Sequence, residues 1–321
     1  MKIWCNADFG TEGMRLLVEG VRAHSLVLSD KRSRSVLAAG QRDPGLAVAD
    51  IAFGQPDPAD CIESKKLRWV EVSSAGYTRY DNDRFREGMR SRGAVFTCAS
   101  QVYANAVAEH VLAMMLALGR KLLPSYAGQL GDRPWPCEER RAESRLLTGQ
   151  TVVILGFGSI GRRLAALLAP FGGRIYAVRR QIRSEPGAHI VPEADLTKVL
   201  AEADHVVDVL PENDATKGYV NARRIGCFKP GARFYNVGRG ATVDQDALIE
   251  GLQNGRIGAA YLDVTVPEPL PPSHPLWSAP NCFITPHTAG GRSNLNLELV
   301  RHFLTNLAAF EDGGPMTDRI L

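Results

Sequence analysis

The segment TVVILGFGSIGRRLAALLAPFG, residues 151–172, constrains this chain more than any other stretch. An apolar run of strand type leads into a G-x-G-x-x-G turn, and an amphipathic helical pattern follows at once. Gly156 permits the tight turn, Gly158 lets a pyrophosphate approach the backbone, and Gly161 lets helix and strand pack closely. The start of the helix offers free N–H groups, those of Ser159 and Ile160 among them, and the positive end of the helix dipole. Glycine-rich turns are common on their own. Set between a strand and a helix, this one predicts a dinucleotide site and, with it, a parallel α/β sheet.

The following strand pattern, RIYAV, ends in Arg179 and Arg180. A protein that selects NAD places an acidic residue near this strand end, where it bonds the ribose 2′-hydroxyl. Here Arg179 stands 18 residues past Gly161, and the sequence puts no carboxylate at the strand end. A guanidinium pair holds a 2′-phosphate through charge-assisted hydrogen bonds, with Arg183 as a weaker contributor. NADP(H) is therefore the expected cofactor, with NAD(H) possible. Without the glycine loop upstream, the same pair would read as solvated surface charge.

Short apolar strands alternate with helical patterns along the whole chain, as in parallel α/β proteins. KIWCN, SLVLS, ADIAFG, LRWVEVSS and GAVFTC form a first series; TVVILG, RIYAV, HVVDVL, ARFYNVG, AAYLDV and CFITP form a second. Between them lies a helical pattern over 104–122, then a charged, Pro- and Gly-bearing stretch over 124–149 that reads as a surface excursion. A last helix is expected over 292–311. With 321 residues and 45% hydrophobic content the chain can build two cores, one per series. Its net charge of +3 gives no reason to expect nucleic acid or a membrane surface as partner. The apolar run VLAMMLALG is too short to span a bilayer, and MKIWCNADFG lacks the long apolar stretch of a secretory signal, so a soluble cytoplasmic protein is expected. Cysteines 5, 61, 98, 137, 227 and 282 form no CxxC pair and no metal-ligand spacing with histidine, which suits free thiols without a metal.

Three later segments each close an apolar strand: FYNVGRGATVD with Arg239, AAYLDVTVPEPLP with Asp263 and Glu268, and CFITPHTAGG with His287. In open α/β sheets ligands bind at the carboxyl ends of the strands, so these segments are expected in one crevice. Together with the glycine loop they resemble the D-isomer-specific 2-hydroxyacid dehydrogenase family, from VSSAGY onward. The Arg-to-Glu and Glu-to-His separations of 29 and 19 residues agree with its pattern. The chain departs from it at Gly238, where alanine is usual, at Thr265 and Val266, and at Asn213.

The resemblance implies two doubly wound parallel-sheet domains. A Rossmann-type nucleotide domain, 99–287, would be inserted into a flavodoxin-like substrate domain, 1–98 with 288–321. It implies reduction of a small 2-keto acid, with glyoxylate and hydroxypyruvate as first candidates and the D-2-hydroxy acid as product. His287 would donate the proton, Glu268 would orient the imidazole and favour its charged form, and Arg239 would hold the keto acid and polarise its carbonyl. The Ala75 and Gly76 N–H groups would complete the carboxylate site, and Asp263 would receive the nicotinamide carboxamide. Leu210, Pro211, Thr216, Val237, Gly238 and Gly290 are further implied cofactor contacts, and a homodimer is implied. A D-3-phosphoglycerate or D-lactate type dehydrogenase is the alternative enzyme, and a corepressor-like dinucleotide sensor the alternative of another class. Tyr103 reads either as a substrate-facing residue or as core. His24, His110, His189, His205, His274 and His302 read as structural or surface histidines.

Overall fold

The structure, a computed structural model, describes residues 1–179, 182 and 184–321. The chain forms two compact units, Met1–Tyr103 with Arg292–Leu321, and Ala104–Gly291.

The first unit holds β1 (Lys2–Ala7), β2 (Ser25–Ser33), β3 (Ile51–Gly54), β4 (Trp69–Val72) and β5 (Val95–Thr97). They pair in parallel in the order β2-β1-β3-β4-β5, the doubly wound order of flavodoxin-like sheets. Such a sheet is covered on both faces, which is why its central strands are buried at nearly every position. Trp4, Tyr80, Phe85 and Phe96 fill one face. On the other, an aromatic stack runs from Phe53 to Phe303 (4.1 Å between centroids) and on to Trp69 (5.1 Å). Phe303 belongs to the helix Leu295–Glu311, so this stack fastens the C-terminal helix to the first sheet. Truncating a fully buried phenylalanine of this kind costs about 3–5 kcal/mol.

Glu71 breaks the apolar pattern of β4. It is fully buried; its Oε2 accepts from Thr97 Oγ1 (3.0 Å) and Asn306 Nδ2 (2.7 Å), while Oε1 has no partner among the described residues. Burial pushes this carboxyl up to about 8, against the opposing effect of those two hydrogen bonds. Its folded value thus lies above its unfolded one, so the native state holds the extra proton between about pH 4.5 and 8. Stability should fall across that window by up to about 1.4 kcal/mol per pH unit from this group. The loss should be complete above the folded value and absent below the unfolded one. Glu71→Gln removes the titration. Its melting temperature relative to wild type is expected to rise steadily from pH 5 to 7.5, and parallel pH curves for the two proteins would contradict this.

The second unit holds β6 (Thr151–Leu155), β7 (Arg174–Val178), β8 (His189–Val191), β9 (His205–Asp208), β10 (Ala232–Asn236), β11 (Ile257–Leu262) and β12 (Cys282–Ile284). All pairs are parallel, in the order β12-β11-β10-β9-β6-β7-β8, which is the Rossmann order extended by one strand. The fold class expected from the sequence, two doubly wound parallel sheets with a Rossmann-type unit, is the one found. The point where strand order reverses lies between β6 and β9, and this places the glycine turn after β6 in the usual ligand crevice.

Two local expectations need correction. The helix read over 104–122 runs instead over Ser100–Gly119, because Lys121 adopts a left-handed conformation (φ 57°) and a separate helix, Leu122–Leu130, starts after it. At 20 residues and a mean hydropathy of 1.4 this helix does reach bilayer length, contrary to the reading of its apolar run as too short; half of it is buried inside the protein. Strand β8 went unread. The 124–149 stretch is exposed but largely helical, with Leu122–Leu130 and Cys137–Glu143 contributing no buried residue.

Candidate active site

The three glycines of the turn are distinguished by the space around them. A Cβ on Gly161 would lie 2.7 Å from the Gly156 carbonyl oxygen, so helix and turn touch there. Gly156 has φ 94°, a conformation that favours glycine, and a Cβ would meet the Val209 carbonyl at 3.1 Å. A Cβ on Gly158 would meet nothing within 4 Å. The crowded pair fixes the turn, and the open glycine leaves a concave approach to the backbone. The helix Ser159–Leu168 that begins here has no side-chain cap, so the N–H groups of its first turn remain directed outward. This cradle fits a dinucleotide pyrophosphate.

Arg179 follows the end of β7, with its side chain 16% exposed, and its Nη1 donates to Glu185 Oε1. The other Glu185 oxygen lies 4.0 Å from Arg162 Nη1, on the first turn of the helix after the glycine loop. The expectation that no carboxylate stands at this strand end is therefore overturned. Glu185, six positions along the chain, reaches it. Arg180 and Arg183, the other two residues assigned to a 2′-phosphate, lie outside the described residues.

His287, Glu268 and Arg239 come together within the second unit. Glu268 follows β11, and its Oε2 lies 2.7 Å from His287 Nδ1, while Oε1 accepts the Thr265 N–H at 3.0 Å. Burial alone would raise the Glu268 carboxyl. Hydrogen bonds from His287 and the Thr265 N–H, with the charges of His287 and Arg239, hold it below the usual carboxylate range. His287 itself has φ 53°, an uncommon conformation for a residue with a side chain. Its N–H donates to the Asp263 carbonyl (2.8 Å), which holds that geometry in place. With Nδ1 committed to Glu268, Nε2 is turned away from it, and the side chain is 24% exposed. Arg239 is half-buried on the turn after β10; Asn236 Nδ2 donates to its carbonyl oxygen, Thr242 Oγ1 lies 2.6 Å from the same oxygen, and Arg239 Nη1 donates to the Gly238 carbonyl. A Cβ on Gly238 would lie 2.7 Å from the Leu210 carbonyl oxygen.

Asp263 is buried, and its carboxylate accepts from Thr285 Oγ1 (2.5 Å), the Thr288 N–H (2.8 Å) and the Ala289 N–H (2.9 Å). Those bonds make it the anchor of the loop that carries His287. Beyond Thr285 the hydrogen bonds continue through the Tyr261 hydroxyl to His110 Nε2, which explains that histidine structurally. His205 is likewise buried, bonded to the Tyr235 hydroxyl (3.0 Å) and to Gln150.

Thr216 ties a turn together: its hydroxyl donates to the Pro211 carbonyl (2.6 Å) and accepts the Asn213 N–H (2.9 Å). Val237 is buried, Leu210 and Gly290 are half-buried, and Pro211 is exposed. The sequence reading missed Asp208, fully buried at the end of β9. It accepts from Thr242 Oγ1 (2.6 Å) and the Leu210 N–H (2.9 Å), and so pins the turn bearing Arg239 to the strand next to the glycine loop. Burial pushes its carboxyl up to about 7. A lone acid in the apolar run HVVDVL was the available signal.

Ala75 and Gly76 stand on the first unit, in the loop after β4, and their N–H groups have no acceptor among the described residues. Tyr103 is buried and donates to the Ser73 carbonyl at 2.8 Å, which favours the core reading of that residue.

A model of the D-isomer-specific 2-hydroxyacid dehydrogenase NAD-binding domain matches residues 112–289, more than half of the chain. The chain is 37% identical over 277 residues to an uncharacterized protein in the proB 3′ region of Corynebacterium melassecola, covering 85% of this chain and 88% of that one. It is 30% identical over 284 residues to glyoxylate/hydroxypyruvate reductase B of Pectobacterium atrosepticum, covering 84% and 85%. Among solved structures, a D-isomer-specific 2-hydroxyacid dehydrogenase from Xanthobacter autotrophicus Py2 shares the fold with a TM-score of 0.82. That match spans 100% of this chain and 98% of the other at 24% identity.

Proposed function

The chain belongs to the D-isomer-specific 2-hydroxyacid dehydrogenase family of NAD(P)-dependent oxidoreductases, and on that premise we propose that it reduces a small 2-keto acid to the D-2-hydroxy acid. Glyoxylate and hydroxypyruvate are the first candidates, the substrates named for the Pectobacterium relative, and NADPH is the preferred cofactor. The observation that carries the reading is the 2.7 Å contact between His287 Nδ1 and Glu268, with the charge of Arg239 acting on the same carboxylate.

The nicotinamide, when bound, supplies the hydride. Glu268 accepts the Nδ1–H bond, which sets the imidazole so that Nε2 delivers a proton to the developing alkoxide. Arg239 supplies fixed positive charge where negative charge develops on the carbonyl oxygen. Asp263 keeps the His287 loop in place and has lone-pair capacity left for the nicotinamide carboxamide. Ser159, Ile160 and the glycine turn take the pyrophosphate, while Leu210, Pro211, Thr216, Val237, Gly238 and Gly290 line the rest of the cofactor path. Arg179 takes the 2′-phosphate once Glu185 yields its place. Initial rates with each keto acid, with NADPH and with NADH at matched concentrations, test the reading; turnover favouring NADPH supports it, and none with either cofactor refutes it.

The protein is further proposed to be a homodimer. Leu122, Tyr126 and Leu130 share one face of their helix at 55%, 59% and 70% exposure, and Trp135 beyond them is 92% exposed. A second copy covering that stripe removes it from water. Tyr126→Asp with Leu130→Asp should halve the mass measured by light scattering; an unchanged mass would locate the interface elsewhere.

A further inference from the structure

Thr242 has one hydroxyl proton and two oxygens within reach of it. Its Oγ1 lies 2.6 Å from Asp208 Oδ2 and 2.6 Å from the Arg239 carbonyl oxygen. An ionised carboxylate and a carbonyl only accept, so a single hydroxyl cannot serve both at once. With the proton turned to Asp208, two bare oxygens face each other on the Arg239 side, at the length of an O–H···O bond and with no hydrogen between them. With a proton on Asp208 itself, the count closes. Its Oδ2–H then donates to Thr242 Oγ1, and the Thr242 hydroxyl donates to the Arg239 carbonyl. Asp208 Oδ1 accepts the Leu210 N–H (2.9 Å) in either state.

The surroundings favour the neutral acid. Asp208 is fully buried at the end of β9, in register with Leu155 of β6 and Asn236 of β10, neither of which is charged. Among the described residues no cation pairs with it. The charged residues of the turn after β10 are Arg239 and Asp244, and Asp244 caps the helix Gln245–Gln253 through the Ala247 N–H (3.1 Å). Tyr219 precedes Val220, which bridges to Val243; burial pushes its phenol up, and its hydroxyl is bonded to Glu193. Arg162, on the helix after the glycine loop, lies against Glu185 and the Phe157 carbonyl. On β9 itself the titratable neighbour is His205, at the opposite end of the strand. Burial therefore pushes the Asp208 carboxyl up to about 7, against the opposing effect of its two hydrogen bonds.

We propose that Asp208 is a positioning residue that works as a neutral acid: its O–H holds Thr242, whose hydroxyl in turn holds the Arg239 carbonyl and fixes the turn that presents the guanidinium. The proposal rests on the reading that Arg239 holds the keto acid. When Asp208 ionises, Thr242 turns its proton back to the carboxylate. The Arg239 carbonyl then keeps Asn236 Nδ2 (3.0 Å) and the Thr242 N–H (3.2 Å) but loses its shortest bond. A group raised in this way is protonated below its folded value, so the relay is intact on the acid side and fails as pH rises through neutrality.

The test compares kcat/KM for hydroxypyruvate at saturating NADPH, from pH 6 to 8.5, in wild type, Asp208→Asn, Thr242→Val and the double variant. An asparagine amide donates to Thr242 at every pH and still accepts the Leu210 N–H, so it reproduces the protonated acid. The ratio of Asp208→Asn to wild type should be near one at pH 6 and should rise about 3- to 10-fold by pH 8.5, the worth of one hydrogen bond. Thr242→Val should lose about that factor already at pH 6, and Thr242→Ser should restore it. In the valine background Asp208→Asn should bring no rise with pH. A ratio that stays flat in the native background, or that rises equally with valine at 242, would overturn the proposal. If Arg239→Gln reduces hydroxypyruvate as wild type does, the substrate reading of Arg239 fails separately. Carbon-13 NMR of the Asp208 carboxyl, assigned by its loss in Asp208→Asn, then decides about the relay. Titration near pH 7 that Thr242→Val displaces sustains it, and a carboxylate already ionised at pH 5.5 overturns it.

Discussion

His287→Ala lowers kcat on hydroxypyruvate by about 10²- to 10⁴-fold, the usual range for loss of a general acid, and leaves NADPH binding unchanged. The expectation follows from placement: the ring bonds Glu268 through Nδ1, while the bonds to the Asp263 and Thr285 carbonyls come from the His287 backbone N–H and survive the substitution. Glu268→Gln should lower kcat by less and reshape the pH–rate profile, since an amide still reaches Nδ1 but brings no charge to the imidazolium. Stopped-flow turnover together with cofactor fluorescence titration separates the two effects. Turnover of the His287→Ala protein within about twofold of wild type would remove the proton-donor role, because general acids contribute far more than that.

Arg179→Gln is expected to weaken NADPH by roughly 10- to 100-fold and NADH hardly at all, the loss of a charge-assisted bond to a 2′-phosphate. Glu185 makes the test sharper. It pairs with Arg179, and its carboxylate can itself accept a ribose hydroxyl. Glu185→Gln should therefore shift the ratio of kcat/KM values further toward NADPH, opposite in direction to Arg179→Gln. Matched losses for both cofactors in the arginine variant would return Arg179 to a structural ion pair with Glu185.

How far the sequence could be read depended on the distance over which each residue acts. Strands β6, β7, β9, β10 and β11 were legible because a strand buried on both faces needs an unbroken apolar run, and that run shows in the letters themselves. Strand β8 is three residues, HIV, after a turn; it pairs only with β7 and carries no such run. Arg239, Glu268 and His287 were legible because each is a chemically apt residue just beyond a strand, and parallel strands all end on one side. What the strand end cannot show is what folds back onto it. Glu185 reaches Arg179 from six residues on, and Asp263 finds Thr285, Thr288 and Ala289 across 22 to 26 residues. The same holds for Asp208, whose partner Thr242 lies 34 residues on.

The most direct test of D-specific keto-acid reduction is the configuration of the product. Hydroxypyruvate incubated with the protein and NADPH, and the glycerate resolved by chiral chromatography, should yield D-glycerate in step with NADPH oxidation. L-glycerate, or oxidation of NADPH without glycerate, would contradict it.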